Sequence, residues 1–282
     1  MTAFNREIFK FNGGDALGGF DPVFRGTVFQ YYCSCIFGTG TDYQCNSQNI
    51  VFALNYVIYD AAFLKSFFNS IFITVVGTLI DTVAMAMAAY PLSRPNLPFR
   101  RGWMVFYMIT MYFGGGMATA IVLMNVLGLM NTIWALILPG TISVYNMLLI
   151  KGTYEGIPIE LNEVARIDGA SEMCIYFKII LPLSKAIIAT TAFMQIVNFW
   201  NNYTSSILYV TTNTGIYPVQ AYIQNFMNRN PMEIAAYTPE LLDYWKNLKT
   251  AYLLVAIVPV ICAYPFMYRF LQNGLTVGAV KG

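Results

Sequence analysis

The chain has 282 residues, of which 57% are hydrophobic and 11% charged, with a net charge of +2 and no histidine. A soluble domain carries about a quarter charged residues, so most of this surface is not built to face water. The absence of histidine excludes His-based proton relays, His metal sites and Ser-His or Cys-His catalysis, and no GxxxxGK[ST] run is present to hold a nucleotide.

Residues 1–54 are atypical. The run FNGGDALGGFDPVFRGTVFQYYCSCIFGTGTDYQCNSQN contains no apolar stretch of membrane length. Nor does it show the basic start and apolar core of a secretory signal. This segment is expected to be poorly ordered, or mistranslated upstream of about Ala53. Cys33, Cys35 and Cys45 cluster here, but a zinc site would need a fourth ligand and no histidine exists to supply it. Cys174 and Cys262 read as small apolar residues.

Five apolar segments follow: Phe67 to Ala89, Trp103 to Leu127, Thr132 to Ile150, Leu183 to Val210 and Tyr252 to Phe270. Each is near the ~20 residues that cross a ~30 Å hydrocarbon core as a helix. Helix is required there, because lipid cannot satisfy open backbone groups. The first segment carries an isolated acid, Asp81, which reads as a neutral or hydrogen-bonded structural group near a helix end. An ionised carboxylate near mid-bilayer costs about 2.5–3.5 kcal/mol on insertion scales. The second carries Gly114-Gly115-Gly116. Each glycine weakens a helix by up to about 1 kcal/mol relative to alanine, so either a hinge lining a pathway or close packing of small residues is expected around Gly115.

Between the third and fourth segments lies a polar stretch, 157–182. Ile157-Pro158 ends the preceding helix. Glu160 to Ile167 restarts as a short helix with acids in its first turn, where the macrodipole favours them. This helix would turn Leu161, Val164, Ala165 and Ile167 toward the membrane. Asp168-Gly169 is a turn signal, and Ala170-Ser171 starts the next helix. Ile175, Tyr176, Ile179 and Ile180 recur at helical spacing before Leu181-Pro182 opens the next span. The expected unit is helix, tight turn, helix, lying flat beneath the bilayer.

The fourth segment holds Asn198-Phe199-Trp200-Asn201-Asn202-Tyr203 in apolar surroundings. Asn198, Asn201, Asn202 and Ser205 fall at i, i+3, i+4 and i+7, one stripe of a helix. Such groups face a bundle interior or a wet cavity, or else join helices. The loop 211–249 is polar and aromatic, with room for short helices.

Basic residues set the orientation. Arg94, Arg100 and Arg101 follow the first segment, Lys151, Arg166, Lys178 and Lys185 the third, and Arg269 and Lys281 the fifth. Positive loops stay inside, so these loops and the C-terminus are expected to be cytoplasmic and the loop 211–249 external. Five spans with an internal C-terminus then require an external N-terminus, against Arg6, Lys10 and Arg25. One further span displaced by a reading-frame error would resolve the conflict.

The stretch EVARIDGASEMCIYFKIILP resembles the loop by which permease subunits of bacterial ABC importers dock their ATPase, with Val164 in place of a usual alanine. From about Asn55 onward the chain resembles the maltose-type carbohydrate permeases, in the LplC-type oligosaccharide branch of Gram-positive bacteria. NYVIYDAAFLKSFFNSIFITVVGTL, AAYPLSR, YFGGGMATAIVLMNVLGLMNT, IPIELNEVARIDGAS and GLTVGAVKG carry that resemblance. Met117-Ala118, the acid at Asp81 and the missing first span depart from it.

The resemblance implies an all-α polytopic bundle of the ABC importer permease type, of which five spans are visible here and a sixth is missing. Residues 55–282 would form the transmembrane domain, with a coupling loop at 157–182. This would be no enzyme but one permease subunit in a bacterial plasma membrane. Its implied partners are a second homologous permease, a cytoplasmic ATPase dimer that holds ATP and magnesium, and an extracellular lipoprotein that binds sugar. No nucleic acid is implied, and no cofactor in this chain. Glu163, Ala165, Arg166, Asp168, Gly169, Ala170, Leu181 and Pro182 would couple to the ATPase. Asn198, Trp200, Asn201, Asn202, Tyr203, Ser205 and Gly115 would line the path of an oligosaccharide, since amides suit hydroxyls and aromatic faces suit sugar C–H surfaces.

Three other classes compete. An ion-coupled secondary transporter would need intramembrane acid–base pairs and usually an internal repeat; Asp81 has no evident basic partner, and no repeat is visible. A membrane enzyme would need a catalytic set at one interface, and none is found. The third is a non-functional truncated permease.

Overall fold

The computed structural model describes residues 54–230 and 248–263. All regular structure among them is helical. The expectations for residues 1–53, for 231–247 of the loop and for everything after Ala263, including Arg269, Lys281 and the tail GLTVGAVKG, lie outside the described residues.

Helix α1 runs over Ala61–Ser93, 33 residues and about 50 Å at 1.5 Å per residue. It exceeds the expected Phe67–Ala89 at both ends for local reasons. Asp60 caps the start, its Oδ1 accepting from the N–H groups of Ala62 and Phe63 at 3.0 and 3.3 Å. At the other end Arg94 precedes Pro95 and is extended, φ −81 and ψ 132, the conformation that a following proline imposes.

The five expected apolar segments are all helical where they are described, and three of them are bent. Among the described residues, α1 is the one continuous helix long and apolar enough to cross a membrane. Three further apolar stretches reach the same length and apolarity only as bent pairs. The first is α2 (Arg100–Tyr112) with α3 (Gly116–Val126), bent by 105°. The second is α4 (Trp134–Gly140) with α5 (Val144–Glu155), bent by 47°. The third is α7 (Glu172–Leu183) with α8 (Lys185–Asn201), bent by 77°. Hydropathy sums over these breaks without registering them. Glycine, proline and capping residues make them: Gly116 at φ +78, Pro139-Gly140 in a 3₁₀ turn with Ser143 capping α5, and Ser184 after Pro182.

Between α5 and α7 lies the short helix α6 (Glu160–Ile167). After α8 the chain forms α9 (Thr204–Tyr209), a 3₁₀ turn at Thr214–Ile216 and α10 (Val219–Asn228). These last two are the short helices expected in the loop after residue 211. The final described helix is α11 (Leu248–Ala263), which starts before the expected Tyr252.

Helix α1 packs chiefly against α8 and α5. Toward its Ser93 end, Met85, Ala89 and Leu92 bury with Met147 and Ile150 of α5 and Ile175, Tyr176 and Ile180 of α7. Toward its Asp60 end, Phe63 buries with Trp200, with Val219 and Phe226 of α10, and with Leu248 and Tyr252 of α11. Helix α2 buries no residue, and Phe106, Ile109, Tyr112, Met117 and Val126 stand exposed along α2 and α3. A surface that apolar is suited to lipid or another subunit.

Asp81 lies deep within α1, not near its end, and is fully buried. The Gln195 amide and the Ser143 N–H approach its carboxylate without reaching hydrogen-bonding geometry, and both oxygens are unpartnered among the described residues. A hydrogen-bonded acid is therefore not what the geometry presents.

Candidate functional site

The 157–182 stretch folds as helix, turn, helix. Glu160 and Glu163 occupy the first turn of α6, where negative charge meets the positive end of the macrodipole. Gly169 takes φ +81, a conformation costly for any residue with a Cβ. The Ala170 N–H then reaches the Ala165 carbonyl at 2.9 Å, and the Gly169 N–H reaches that of Arg166 at 3.0 Å. These two bonds close the end of α6 in the manner of a glycine C-cap. Ser171 caps α7, its hydroxyl accepting from the Cys174 N–H at 3.3 Å. Within α7 a π-type turn over Tyr176–Ile180 precedes Leu181 and Pro182, a feature frequent at functional sites.

The faces of α6 are unlike one another. Of the four apolar residues, only Ala165 packs into the core, while Leu161, Val164 and Ile167 are exposed. The residue buried inward is Asn162. Its partner explains why: Arg94 Nη2, just past the end of α1, donates to Asn162 Oδ1 at 3.1 Å. Arg94 also lies 4.5 Å over the Tyr90 ring, a cation–π distance. The Tyr90 hydroxyl donates to Glu172 Oε2 at 2.9 Å, and Glu172 Oε1 accepts from Arg166 Nε at 2.7 Å. Desolvation raises the Glu172 carboxyl, but the bonds from Tyr90 and Arg166 and the charges of Arg166 and Arg94 outweigh it and hold the group below the ordinary glutamate value.

Sequence reading gives Arg94 a part in orientation alone and assigns no role to Tyr90, Asn162 or Glu172. Their signals were the runs that carried the resemblance: AAYPLSR holds Tyr90 and Arg94, IPIELNEVARIDGAS holds Asn162, and EVARIDGASEMCIYFKIILP holds Glu172. Glu163, Asp168 and Gly169 remain exposed, with Ala165 and Ala170 half-buried beneath them.

The second group of candidates is divided by a break. Asn198 and Asn201 lie on α8, but the helix stops there. Asn202 is extended, φ −79 and ψ 100, and Tyr203 precedes α9. The expected stripe through Ser205 therefore does not lie on one helix. Asn202 Oδ1 instead accepts from the Ser205 N–H at 3.2 Å, and its Nδ2 donates to Ser205 Oγ at 2.9 Å. That local bonding competes with helix continuation. Asn198, Asn201 and Tyr203 are exposed. Trp200 is buried in the cluster with Phe63 and Tyr252, meets Phe67 edge-on at 5.7 Å, and donates its indole N–H to the Ala256 carbonyl at 3.1 Å. Gly115 is exposed and lies at the α2–α3 break. No atom lies within 4 Å of a Cβ built at Gly114 or Gly116, and one built at Gly115 would meet only Thr119 of the following helix at 3.3 Å, so the glycine run marks a bend and not close packing against another span of this chain.

Asn131 is a further residue without an assigned role. It takes φ +59, and its Oδ1 accepts from the N–H groups of Thr211 and Thr212 at 2.8 and 2.9 Å. It thereby pins the turn before α4 to the chain after α9.

The sequence profile for binding-protein-dependent transport system inner membrane components matches residues 75–277. The polygalacturonan/rhamnogalacturonan transport system permease protein YtcP of Bacillus subtilis is 34% identical over 82% of this chain and 81% of its own length. Protein LplC of the same organism is 35% identical over 82% of this chain and 78% of its own. The arabinooligosaccharides transport system permease protein AraQ of Halalkalibacterium halodurans is 30% identical over 80% and 78%. Among solved structures, a bacterial ABC transporter involved in import of the acidic polysaccharide alginate has a chain that superposes with a TM-score of 0.73. The match covers 91% of this chain and 99% of that one at 24% identity, and it establishes the shared helical fold.

Proposed function

This chain belongs to the family of binding-protein-dependent transport system inner membrane components, and from that premise we propose that the cargo of its importer is an oligosaccharide. It is a membrane-embedded permease subunit of an ABC transporter, not an enzyme, and its system includes a substrate-binding protein and an ATPase. The observation that supports the cargo is the pair of relatives named for polygalacturonan/rhamnogalacturonan and arabinooligosaccharide transport, each at least 30% identical over about four fifths of this chain.

In the proposed assembly this chain forms half of the translocation pathway and a second homologous permease forms the other half. A dimeric cytoplasmic ATPase holds ATP and magnesium, and an extracellular lipoprotein delivers the sugar. The loops after α1 and α5 and the C-terminus face the cytoplasm, as the positive-inside rule requires. The loop after residue 211 faces out. Glu163, Ala165, Arg166, Asp168, Gly169 and Ala170 form the surface gripped by the ATPase, with Leu181 and Pro182 at the exit. The φ +81 turn at Gly169 and the exposed Val164 and Ile167 support that reading, because a seat for another protein needs an apolar centre with charges at its rim. Asn198, Asn201, Asn202, Tyr203, Ser205 and Gly115 are proposed to line the sugar path at the helix breaks, since irregular backbone at membrane depth is tolerated where it lines a cavity. Trp200, packed against α11, would support that lining from behind.

Two measurements test these proposals. Uptake of labelled oligosaccharides by cells carrying the complete system should show saturable import of at least one, and transport of none would refute the cargo. A tag on this chain should recover an ATPase, and Glu163→Lys should lose both that companion and import; import unchanged by the reversal would remove the coupling loop.

A further inference from the structure

Four contacts close a ring between the Ser93 end of α1 and both limbs of the α6–α7 elbow. Tyr90 donates to Glu172, Glu172 accepts from Arg166, Arg166 shares one face of α6 with Asn162 four residues before it, Asn162 accepts from Arg94, and Arg94 stacks on Tyr90. We propose that Tyr90 and Arg94 are the positioning residues through which movement of the elbow enters the transmembrane bundle, and that α1, not the spans flanking the elbow, receives it. This inference rests on the reading of 157–182 as the coupling loop.

The covalent neighbours of the elbow are both hinged. Helix α5 ends at Glu155, and Gly156-Ile157-Pro158 intervenes before α6. On the other side α7 turns through 77° into α8 at Ser184. A push on α6 or α7 bends these joints. The ring has no such joint. Its links are the side-chain bonds of Tyr90, Glu172 and Arg166 and of Arg94 and Asn162, joined through one turn of α6, and coupling between sites is carried by contiguous bonded networks attached to rigid elements. Helix α1 is the rigid element, the one unbroken span among the described residues. Its far end is tied as firmly. Asp60 Oδ2 accepts from the hydroxyls of Tyr222 on α10 and Tyr252 on α11 at 2.7 and 2.5 Å. A displacement of the Ser93 end is thus delivered to the helices at the opposite end of the bundle.

The test uses the whole importer, purified through a tag on this chain and reconstituted in liposomes. The variants are Tyr90→Phe, which deletes the donor to Glu172, and Asn162→Leu, which deletes the acceptor for Arg94. ATPase recovered per permease, ATP hydrolysis with loaded binding protein, and sugar imported are measured together. In both variants the ATPase should co-purify at the wild-type ratio and continue to hydrolyse ATP, while ATP consumed per sugar imported rises at least ten-fold. Asn162→Asp, which keeps an acceptor for Arg94, should return the ratio to within about two-fold of wild type and guards against misfolding of Asn162→Leu. A ratio unchanged in Tyr90→Phe and Asn162→Leu, whether hydrolysis and import fall together or neither falls, overturns the proposal. A wild-type chain that binds no ATPase overturns the coupling-loop reading, and this inference with it.

Discussion

The Phe199 ring of α8 presses into the space left by Gly77 of α1: a Cβ built at Gly77 would lie 2.8 Å from its Cζ. On another side a Cβ at Gly140 would lie 3.1 Å from its Cε1. One aromatic ring thus fixes the approach of α8 to both the long span and the α4–α5 break.

Gly77→Ala should therefore destabilise the chain. Phe199 is nearly fully buried and boxed by Gly140, so it cannot swing aside cheaply. Overpacking of this kind costs about 1–3 kcal/mol. Thermal unfolding in detergent should show a lowered midpoint for Gly77→Ala, largely recovered in the pair Gly77→Ala with Phe199→Leu. Equal midpoints for wild type and Gly77→Ala would contradict the packing.

Gly115 and Gly116 should behave oppositely. At Gly116 there is space for a Cβ, but φ is +78, so alanine there costs about 1–2 kcal/mol of backbone strain. Gly115 has φ −70, so its backbone accepts alanine, and the added Cβ meets only the Thr119 side chain at 3.3 Å, which must give by a few tenths of an ångström. Uptake and stability should both suffer in Gly116→Ala and change little in Gly115→Ala. The reverse order would show that the bend between α2 and α3 is misplaced.

Asp60→Ala removes an N-cap and the shared acceptor of two tyrosine hydroxyls. Loss of the cap alone costs about 1 kcal/mol, and two buried hydroxyls are left without their acceptor. Tyr222→Phe should cost less, because it removes one donor and leaves Asp60 satisfied by Tyr252. A double-mutant cycle on unfolding midpoints should give a coupling between Asp60 and Tyr222 that differs from zero.

Glu172 carries the pH dependence of the elbow. Its folded value is held below the ordinary one, near 4.3 in an unfolded chain. A depressed carboxyl contributes stability that is present above the unfolded value and lost as pH falls through the folded one. Hydrogen exchange of α6 and α7 should accordingly loosen as pH is lowered below about 4.3, and Glu172→Gln should flatten that response. Because the side chain is half exposed, the effect is small and screened by salt.

Asn202 separates a capping role from a sugar-binding one. Asn202→Ser keeps a capping oxygen and should preserve the start of α9, while Asn202→Leu should cost about 1 kcal/mol. Import lost in the serine variant, with stability intact, favours direct contact with cargo. Import kept in serine and lost in leucine assigns Asn202 to the break itself.

Much of this was legible in the sequence because it depends on near neighbours. Apolar runs located the membrane segments, proline and glycine located both ends of α6, and Asp168-Gly169 located the turn. The i, i+3, i+4, i+7 stripe through Ser205 misled because period counting assumes an unbroken helix, and the Asn202 side chain ends it. Pro139-Gly140 was passed over because hydropathy across it stays high.

Composition and local chemistry settled that this chain is a helical membrane protein with a structured polar elbow, since water exclusion and turn geometry act within a few residues; that it is a permease rested on the likeness of whole motifs to a known family. Which residues meet across the bundle was decided only by the tertiary structure. Tyr90 and Glu172 are 82 positions apart, and Asp60 and Tyr252 are 192 apart. No local preference specifies such pairs; they follow from how a rigid span and its broken neighbours pack.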